Sequence, residues 1–291
     1  MSGRFAAEWL MLREAADLAA RNNSLQARLA GLLPGRRTAG ISVLDLGAGT
    51  GANLRALAPA LGPGQHWSLL DHDAELLEYA LSSLMQWGRD AGYTVHEGGE
   101  DLRLESAGWD ARITLRQCDL SGEELDALPV PGLVTASALL DLVSADWLKR
   151  LAYALPGAVL YFPLNYDGVM EFAPALDLDA EIRALFNRHQ KGDKGFGAAL
   201  GGDAPREAEE ILNMAGFLCE SAASPWQLGP RDVPLQRELI GGIAAAAGEL
   251  GGDRDVVETW CSQRMTFIEQ SQSTAWIGHW DILAVPAEDA P

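Results

Sequence analysis

The sequence predicts an α/β protein built around a mostly parallel β-sheet, doubly wound, with helices on both faces. Apolar, β-rich runs alternate with amphipathic segments of about 10–15 residues, which is the pattern of βαβ units. The first β-rich run ends in a cluster of glycines, at the point where such sheets bind ligands. A chain of 291 residues with 48% hydrophobic residues can bury a substantial core.

The predicted elements follow this alternation. Helical spacing of Phe5, Trp9 and Leu12, and the N-cap signal Asn23-Ser24, predict two helices that form an N-terminal helical lid segment, residues 1–38. The main domain is expected at 39–291. Its first five strands are predicted at 41–46, 66–71, 112–118, 132–136 and 158–163, with a hairpin-like extension at 102–105. The intervening helices are predicted at 52–61, 74–88 and 146–154.

The chain changes character after Leu164. Residues 165–204 are rich in glycine and predict a loop-rich insertion that serves a second ligand. A helix is expected at 205–215, a strand at 217–221, a helical insertion at about 230–272 and a final strand at 275–285.

Composition excludes several classes of protein. A net charge of −19 repels phosphate backbones, so we expect no nucleic-acid partner. The uncharged stretch from Leu151 to Tyr166 is short and contains Pro156 and Pro163, so it predicts no membrane span. The amino-terminal residues do not form an apolar signal sequence, and the three cysteines are widely spaced. These observations indicate a cytoplasmic protein without a metal site or disulfides.

One motif carries the candidate chemistry. The run Val43-Leu-Asp-Leu-Gly-Ala-Gly-Thr-Gly51 ends the first predicted strand and opens a helix. Glycine lets the backbone turn sharply and approach a ligand closely. Asp71 ends the second strand about 20 residues later, where an acidic side chain can bind ribose hydroxyls.

The glycines fit two cofactor classes. Gly47, Gly49 and Ala52 also satisfy the dinucleotide fingerprint. Asp45 favours the other class, because its carboxylate would repel a pyrophosphate but suits a cationic ligand. S-adenosylmethionine has no phosphate and carries an ammonium and a sulfonium.

The run VLDLGAGTGANL, together with Asp71 and Cys118-Asp119-Leu120, resembles the class I S-adenosylmethionine-dependent methyltransferase family. The resemblance covers most of residues 40–165 and the final strand pair. It implies a seven-stranded sheet whose last strand is antiparallel and inserted. It also implies a cofactor site for S-adenosyl-L-methionine. That site would comprise Asp45, Gly47, Ala48, Gly49, Gly51 and Asn53 at the methionine end, Asp71 and His72 near the ribose, Asp119 and Leu120 at the adenine, and Ser137 near the transferred methyl.

The acceptor is less constrained by the sequence. Residues 186–197 concentrate Arg188, His189, Lys191 and Lys194 in an acidic chain, which predicts a lid over an anionic or hydroxyl-rich small molecule, or else a solvated surface loop. Asp141 and His189 are the candidate catalytic bases. His279 is expected either at the acceptor site or in the core. Trp9, Trp226 and Trp276 are expected to pack or to line the acceptor site.

The predicted function is methyl transfer from S-adenosylmethionine to an oxygen or nitrogen of a small polar metabolite. Two alternatives remain open at this stage. One is a non-catalytic S-adenosylmethionine-binding regulatory module, and the other is an NAD-dependent oxidoreductase that uses the same glycines.

Overall fold

The computed structural model describes residues 7–33, 40–98 and 101–289. Its centre is a ten-stranded mixed sheet. The strands are β1 (Ile41–Leu46), β2 (Gln65–Asp71), β3 (Thr94–Gly98), β4 (Asp101–Glu105), β5 (Asp110–Gln117), β6 (Leu133–Thr135), β7 (Val159–Ala173), β8 (Phe217–Ala223), β9 (Trp226–Leu228) and β10 (Thr274–Pro286).

The strand order is β3-β4-β5-β2-β1-β6-β7-β10-β8, and β9 pairs with β10. The strands from β5 to β7 in this order pair in parallel. β10 lies antiparallel between β7 and β8. The sheet is therefore mostly parallel in its centre, and its last strand is antiparallel and inserted, as the sequence resemblance implied.

The sheet differs from the prediction in its number of strands. Seven strands were expected, and the additional ones are β3, β4 and the short β9. β3 and β4 form an antiparallel extension on the edge of β5. This extension corresponds to the predicted hairpin-like segment, although β3 was not expected as a separate strand.

The prediction of a loop-rich region at 165–204 is wrong for much of its length. β7 continues to Ala173, and residues 179–190 form a helix. β7 continues because β10 pairs with it along this extension, for example Tyr166 with His279 and Phe172 with Ala275. Pairing between distant strands thus overrides the local glycine signal.

Nine α-helices are assigned in the described residues. They are α1 (Ala7–Ala20), α2 (Asn23–Leu32), α3 (Ala52–Leu61), α4 (Ala74–Asp90), α5 (Ala145–Ala154), α6 (Asp179–Gln190), α7 (Ala204–Met214), α8 (Val233–Glu249) and α9 (Arg254–Glu269). Residues 1–6 and 34–38 of the predicted lid segment, with Phe5 among them, lie outside the described part, as does residue 39.

Alternate residues of β1 pack on opposite faces of the sheet, as the period of a strand requires. Leu44 joins a buried cluster with residues of α5 and α7. Val43 joins another with residues of α2, α3 and α4. A third buried cluster joins the extensions of β7 and β10 to residues of α6, α8 and α9. This third layer packs on the parts of β7 and β10 that extend beyond the parallel pairing of β6 with β7.

A buried carboxylate ties the N-terminal helices to the sheet. Asp281 of β10 is fully buried and accepts hydrogen bonds from Leu164 N–H (2.9 Å), the Tyr161 hydroxyl (2.9 Å) and Asn22 N–H (2.9 Å). Leu164 has φ +63°, which costs energy in a residue with a branched side chain. Asn22 caps α2. Asp281 thus fixes the left-handed backbone conformation of Leu164, which lies within β7, and it also fixes the start of α2.

Replacing Asp281 with Asn tests this role. An amide nitrogen would meet donors where a carboxylate now accepts, so we expect a loss of about 2–4 kcal/mol in the free energy of unfolding. Urea denaturation measures it. The control is Glu258→Gln, which removes an exposed ion pair with Arg254 and should cost less than about 1 kcal/mol. Equal losses in the two variants would contradict the assignment.

Candidate active site

The glycine loop after β1 is held by the end of β2. Gly49 has φ +53°, a conformation that favours glycine. Its N–H donates to Oδ2 of Asp71 over 2.8 Å, and Oδ1 of Asp71 accepts from the N–H of Asp73 over 3.0 Å. Ala48 N–H donates to the carbonyl of Leu70. The predicted residues Gly47, Ala48, Gly49, Gly51 and Asp71 therefore form one unit.

Asp45 lies fully buried at the end of β1. Nδ2 of Asn53, in the first turn of α3, donates to Oδ1 of Asp45 over 2.8 Å and to Oγ1 of Thr135 over 3.0 Å. Burial raises the pKa of Asp45 to about 7, while the Asn53 hydrogen bond and the positive charge of Arg21 act in the opposite direction. A cationic group beside Asp45 would therefore favour its ionised form.

Arg21, between α1 and α2, is a site residue that the sequence analysis missed. Its side chain is buried, and Nη2 donates to Oγ of Ser137 over 3.2 Å. Ser137 lies in the loop after β6, as predicted for the cofactor site. No spacing in the sequence connects Arg21 to this loop, because the contact depends on how the N-terminal helices dock. The polar Thr135 at the end of β6 was also missed.

Several buried polar atoms around Asp45 have no hydrogen-bond partner in the described structure. Buried polar groups are normally paired, so such a cluster indicates a place for a polar ligand. The atoms are Nε and Nη1 of Arg21, Oδ2 of Asp45, Oγ1 of Thr50 and Oδ1 of Asn53. The Arg21 nitrogens can donate to an anion, and the Asp45 and Asn53 oxygens can accept hydrogen bonds from a cation.

Helix α1 covers the glycine loop. A Cβ atom at Gly49 would lie 3.0 Å from Cδ1 of Leu10, which is tighter than ordinary packing. Glu14 pairs with Arg55 of α3 at 2.6 Å, and Met11 contacts the Tyr79 hydroxyl of α4. The helix therefore lies where the sequence analysis expected a lid.

Of the residues predicted to bind ribose and adenine, His72 and Asp119 are exposed, whereas Asp71 and Leu120 are buried. His72 is exposed, with Nδ1 3.2 Å from Oδ1 of Asp71. Oδ1 of Asp119 accepts from the N–H and the hydroxyl of Ser121, and these hydrogen bonds lower the pKa of Asp119. Leu120 is buried, and its carbonyl accepts from Nε1 of Trp147 over 2.6 Å. Asp119 thus has a role in its own turn, besides any role towards a ligand.

Asp141 lies in the loop after β6, beside the glycine loop. A Cβ atom placed on Gly47 would lie 3.4 Å from Cδ1 of Leu139, which belongs to the same loop as Asp141. Burial raises the pKa of Asp141 to about 6, while backbone hydrogen bonds from Asp141 itself and from Tyr166, and the charges of Arg13 and Lys194, lower it. Its Oδ1 is buried and has no hydrogen-bond partner in the described structure.

His189, the other candidate base, faces a different element. It lies near the end of α6, and its Nε2 is 3.1 Å from Oε2 of Glu249 on α8. The predicted lid at 186–197 consists of the end of α6 followed by a hydrogen-bonded turn. In this turn Asp193 Oδ1 accepts from Gly195 N–H and Gly197 N–H. Among the described residues, His189 forms no hydrogen bond or ion pair with those at the strand ends, so the two candidate bases are not brought together.

A row of aromatic rings extends away from α1 towards α6. We call Trp9, Trp226, His279, Tyr166 and Phe186 the aromatic row; neighbouring centroids are 5.2–6.4 Å apart. His279 is buried, and burial lowers its pKa to about 3. Its Nδ1 lies 3.0 Å from the Ile277 carbonyl, which makes Nδ1 the protonated nitrogen. The His279 ring is therefore neutral and packs within the aromatic row.

In the part of the chain that the structure describes, no helix has the length and apolar character needed to cross a membrane. The same described residues contain no group of three or more side chains suited to hold a metal ion. Cys118, Cys219 and Cys261 are free thiols.

No protein-family model and no curated protein matches the sequence. Among solved structures, the chain is similar to the YcgJ protein of Bacillus subtilis, with 13% identity over 90% of this chain and 99% of that one, and a TM-score of 0.46. It is also similar to a cyclopropane synthase of Mycobacterium tuberculosis, with 12% identity over 88% of this chain and 83% of that one, and a TM-score of 0.43. A SAM-dependent methyltransferase of Aquifex aeolicus matches with 15% identity over 75% and 91%, and a TM-score of 0.44. These scores lie below 0.5, so the fold is assigned from strand order and orientation.

The raised pKa of Asp45 predicts a pH dependence of stability. Because the folded protein binds this proton more tightly than the unfolded chain, ionisation costs stability as the pH rises from about 4 to about 7. The cost is about 1.4 kcal/mol for each unit of the shift. Over this window the ligand-free protein should therefore lose stability relative to Asp45→Asn.

Urea denaturation at a series of pH values measures the difference. Asp146→Asn, at an exposed carboxylate on α5, is the matched control and should follow the wild-type curve. If the Asp45→Asn and wild-type curves run parallel between pH 4 and 7, Asp45 does not titrate as assigned.

Proposed function

We propose that this protein is an S-adenosylmethionine-dependent methyltransferase acting on a small molecule. The observation that carries the proposal is the cluster of unpaired buried atoms at the strand ends. Arg21 supplies unpaired donors there, and Asp45 and Asn53 supply unpaired acceptors. The methionine end of S-adenosylmethionine carries a carboxylate and an ammonium, which complement these two sets.

The residues divide by the part of the cofactor that each would hold. The Arg21 guanidinium suits the carboxylate, because arginine binds carboxylates through charge-assisted hydrogen bonds. Oδ2 of Asp45 and Oδ1 of Asn53 suit the ammonium. We assign Asp71 and His72 to the ribose, and Asp119 and Leu120 to the adenine. Ser137, bonded to Arg21, completes the methionine end.

When bound, S-adenosylmethionine supplies a methyl group that its sulfonium has already activated. The protein's contribution is then mainly to align the acceptor and to exclude water. Helix α1 covers the glycine loop, and the third layer packs on the extensions of β7 and β10, which suits this role. An acceptor that must lose a proton also needs a base, and Asp141 is the candidate nearest to the glycine loop.

The alternatives make different demands on the same residues. A pyrophosphate beside the glycine loop would meet the buried carboxylate of Asp45, which disfavours the NAD-dependent oxidoreductase. A non-catalytic binding module would need no second site. The buried, unpaired Oδ1 of Asp141 beside the glycine loop favours an enzyme over such a module.

Titration calorimetry tests the ligand class directly. S-adenosylhomocysteine, the product cofactor, should bind the purified protein, and NAD should not. Binding of NAD without binding of S-adenosylhomocysteine would overturn the proposal.

We expect no retention of a random-sequence oligonucleotide at physiological salt, because the protein is strongly acidic.

A second prediction concerns Arg21. Arg21→Met should weaken binding of S-adenosylhomocysteine by about tenfold or more, the loss expected for a charge-assisted hydrogen bond to the carboxylate. The same variant should leave binding of 5′-methylthioadenosine within about twofold, because that compound lacks the amino-acid end.

The matched control is Arg28→Met on α2, where the arginine forms an exposed pair with Glu220. It should leave both affinities unchanged. If Arg21→Met weakens both ligands equally, Arg21 stabilises the fold of the site and does not bind the carboxylate.

A further inference from the structure

We infer that the methyl acceptor is a zwitterionic small molecule: a primary or secondary amine that also carries an anionic group. Asp141 would bind its nitrogen, and Lys194 would bind its anionic group. The inference rests on the proposed methyltransferase function and narrows the acceptor from any polar metabolite to this class.

The position of Asp141 is fixed from both sides. Its loop lies against the glycine loop through Leu139. Its own carbonyl accepts from Gly201 N–H over 3.0 Å, and Val143 O accepts from Leu200 N–H over 2.8 Å. The carboxylate is therefore held on a braced loop next to the proposed methionine site, which suits a group that must align an acceptor.

The carboxylate of Asp141 lacks an ionic partner among the described residues. Its Oδ1 is buried and unpaired, and a buried carboxylate oxygen requires a donor. Arg13 and Lys194 act on it electrostatically without forming an ion pair. Arg13 is already occupied, because it pairs with Asp17 at 2.8 Å and lies over the ring of Trp226 at 4.9 Å. An amine or ammonium would supply the missing donors.

Lys194 differs from Lys191 and His189 of its segment, which both have acidic partners. Lys191 pairs with Asp203 at 2.5 Å, and His189 contacts Glu249. The hydrogen bond described for the Lys194 ammonium is a long one of 3.4 Å to the carbonyl of His189. Its segment packs against the Asp141 loop, since Ala199 bridges to Ser144 and Phe196 packs on Trp147.

Asp141 and Lys194 thus present opposite charges that lie near one another without pairing. A ligand that is only an anion would satisfy Lys194 but face the Asp141 carboxylate, and a simple amine would leave Lys194 without a partner. A neutral polyol would leave both charges uncompensated. A zwitterion provides a partner for each of the two charges. Tyr166 and His279 of the aromatic row are neutral and add no competing charge.

The reaction balances with the groups present. The ammonium form of the acceptor transfers a proton to the Asp141 carboxylate and becomes a neutral amine. Its nitrogen lone pair forms a bond to the methyl carbon while the carbon–sulfur bond breaks and its electrons remain on sulfur. The products are the N-methylated ammonium and S-adenosylhomocysteine, and the Asp141 proton passes to solvent. Burial raises the pKa of Asp141 to about 6, which makes it a stronger base than an exposed aspartate.

Two measurements on the full chain test the inference with the same probe, a protein-free small-molecule extract of bacterial cells. In the first, the complex with S-adenosylhomocysteine is mixed with the extract and separated by size, and the retained compounds are identified by mass spectrometry. In the second, the extract is incubated with protein and methyl-labelled S-adenosylmethionine, and the labelled products are identified. Wild type is compared with Asp141→Asn, Lys194→Met and the control Lys191→Met.

We expect the retained compounds to be zwitterionic amines and the labelled products to carry an N-methyl group. Asp141→Asn and Lys194→Met should each reduce retention at least tenfold while S-adenosylhomocysteine affinity stays within twofold, and Lys191→Met should change neither. Retained polyols or amine-free acids, O-methyl products, unchanged retention in Asp141→Asn, or no retained compound and no product despite bound S-adenosylhomocysteine would each overturn the inference. Failure to bind S-adenosylhomocysteine at all would instead refute the proposed function.

Discussion

The buried Asp281 carboxylate is the interaction on which the geometry of the candidate site depends. It binds Leu164 in a left-handed conformation, the Tyr161 hydroxyl and the first N–H after Arg21. Arg21 consequently enters the site at a fixed position beside Ser137 and Asp45. A single carboxylate on the last strand thus connects the inserted antiparallel strand, which defines the fold, to the guanidinium that we assign to the cofactor carboxylate.

The carboxyl groups at the strand ends lower the free energy of unfolding of the ligand-free protein. Asp45 is buried and Asp141 is partly buried, with its Oδ1 out of contact with solvent, and burial raises the pKa of both carboxyl groups. Each also has an oxygen without a hydrogen-bond partner in the described structure. A folded protein gains nothing from such atoms by themselves, because buried polar groups without partners are destabilising. Ligands that satisfy them recover this free energy, so the same groups that weaken the fold provide affinity and selectivity.

The sequence predicts the cofactor half better than the acceptor half, for a physical reason. Gly49, Asp45 and Asn53 lie within one strand–turn–helix unit, whose geometry is encoded locally. Arg21, Tyr166 and Lys194 reach the site through docking of helices and through the pairing of β7 with β10, which no local pattern specifies. The glycines near residue 168 indicated a loop, and His189 looked free to act as a base. Long-range strand pairing and the contact with Glu249 give these residues other roles.

Helix α1 takes part in both halves of the site. Leu10 covers the glycine loop, while Trp9 begins the aromatic row, and Asp17 accepts from Nε1 of Trp226 over 2.9 Å. No described residue of α1 is fully buried, but its tie to α3 is a bidentate ion pair, in which Nε and Nη2 of Arg55 each lie 2.6 Å from an oxygen of Glu14. The Arg55 side chain is only 8% exposed, so this pair is stronger than an ordinary surface ion pair. Because α1 borders both halves of the candidate site, its docking fixes their positions relative to each other.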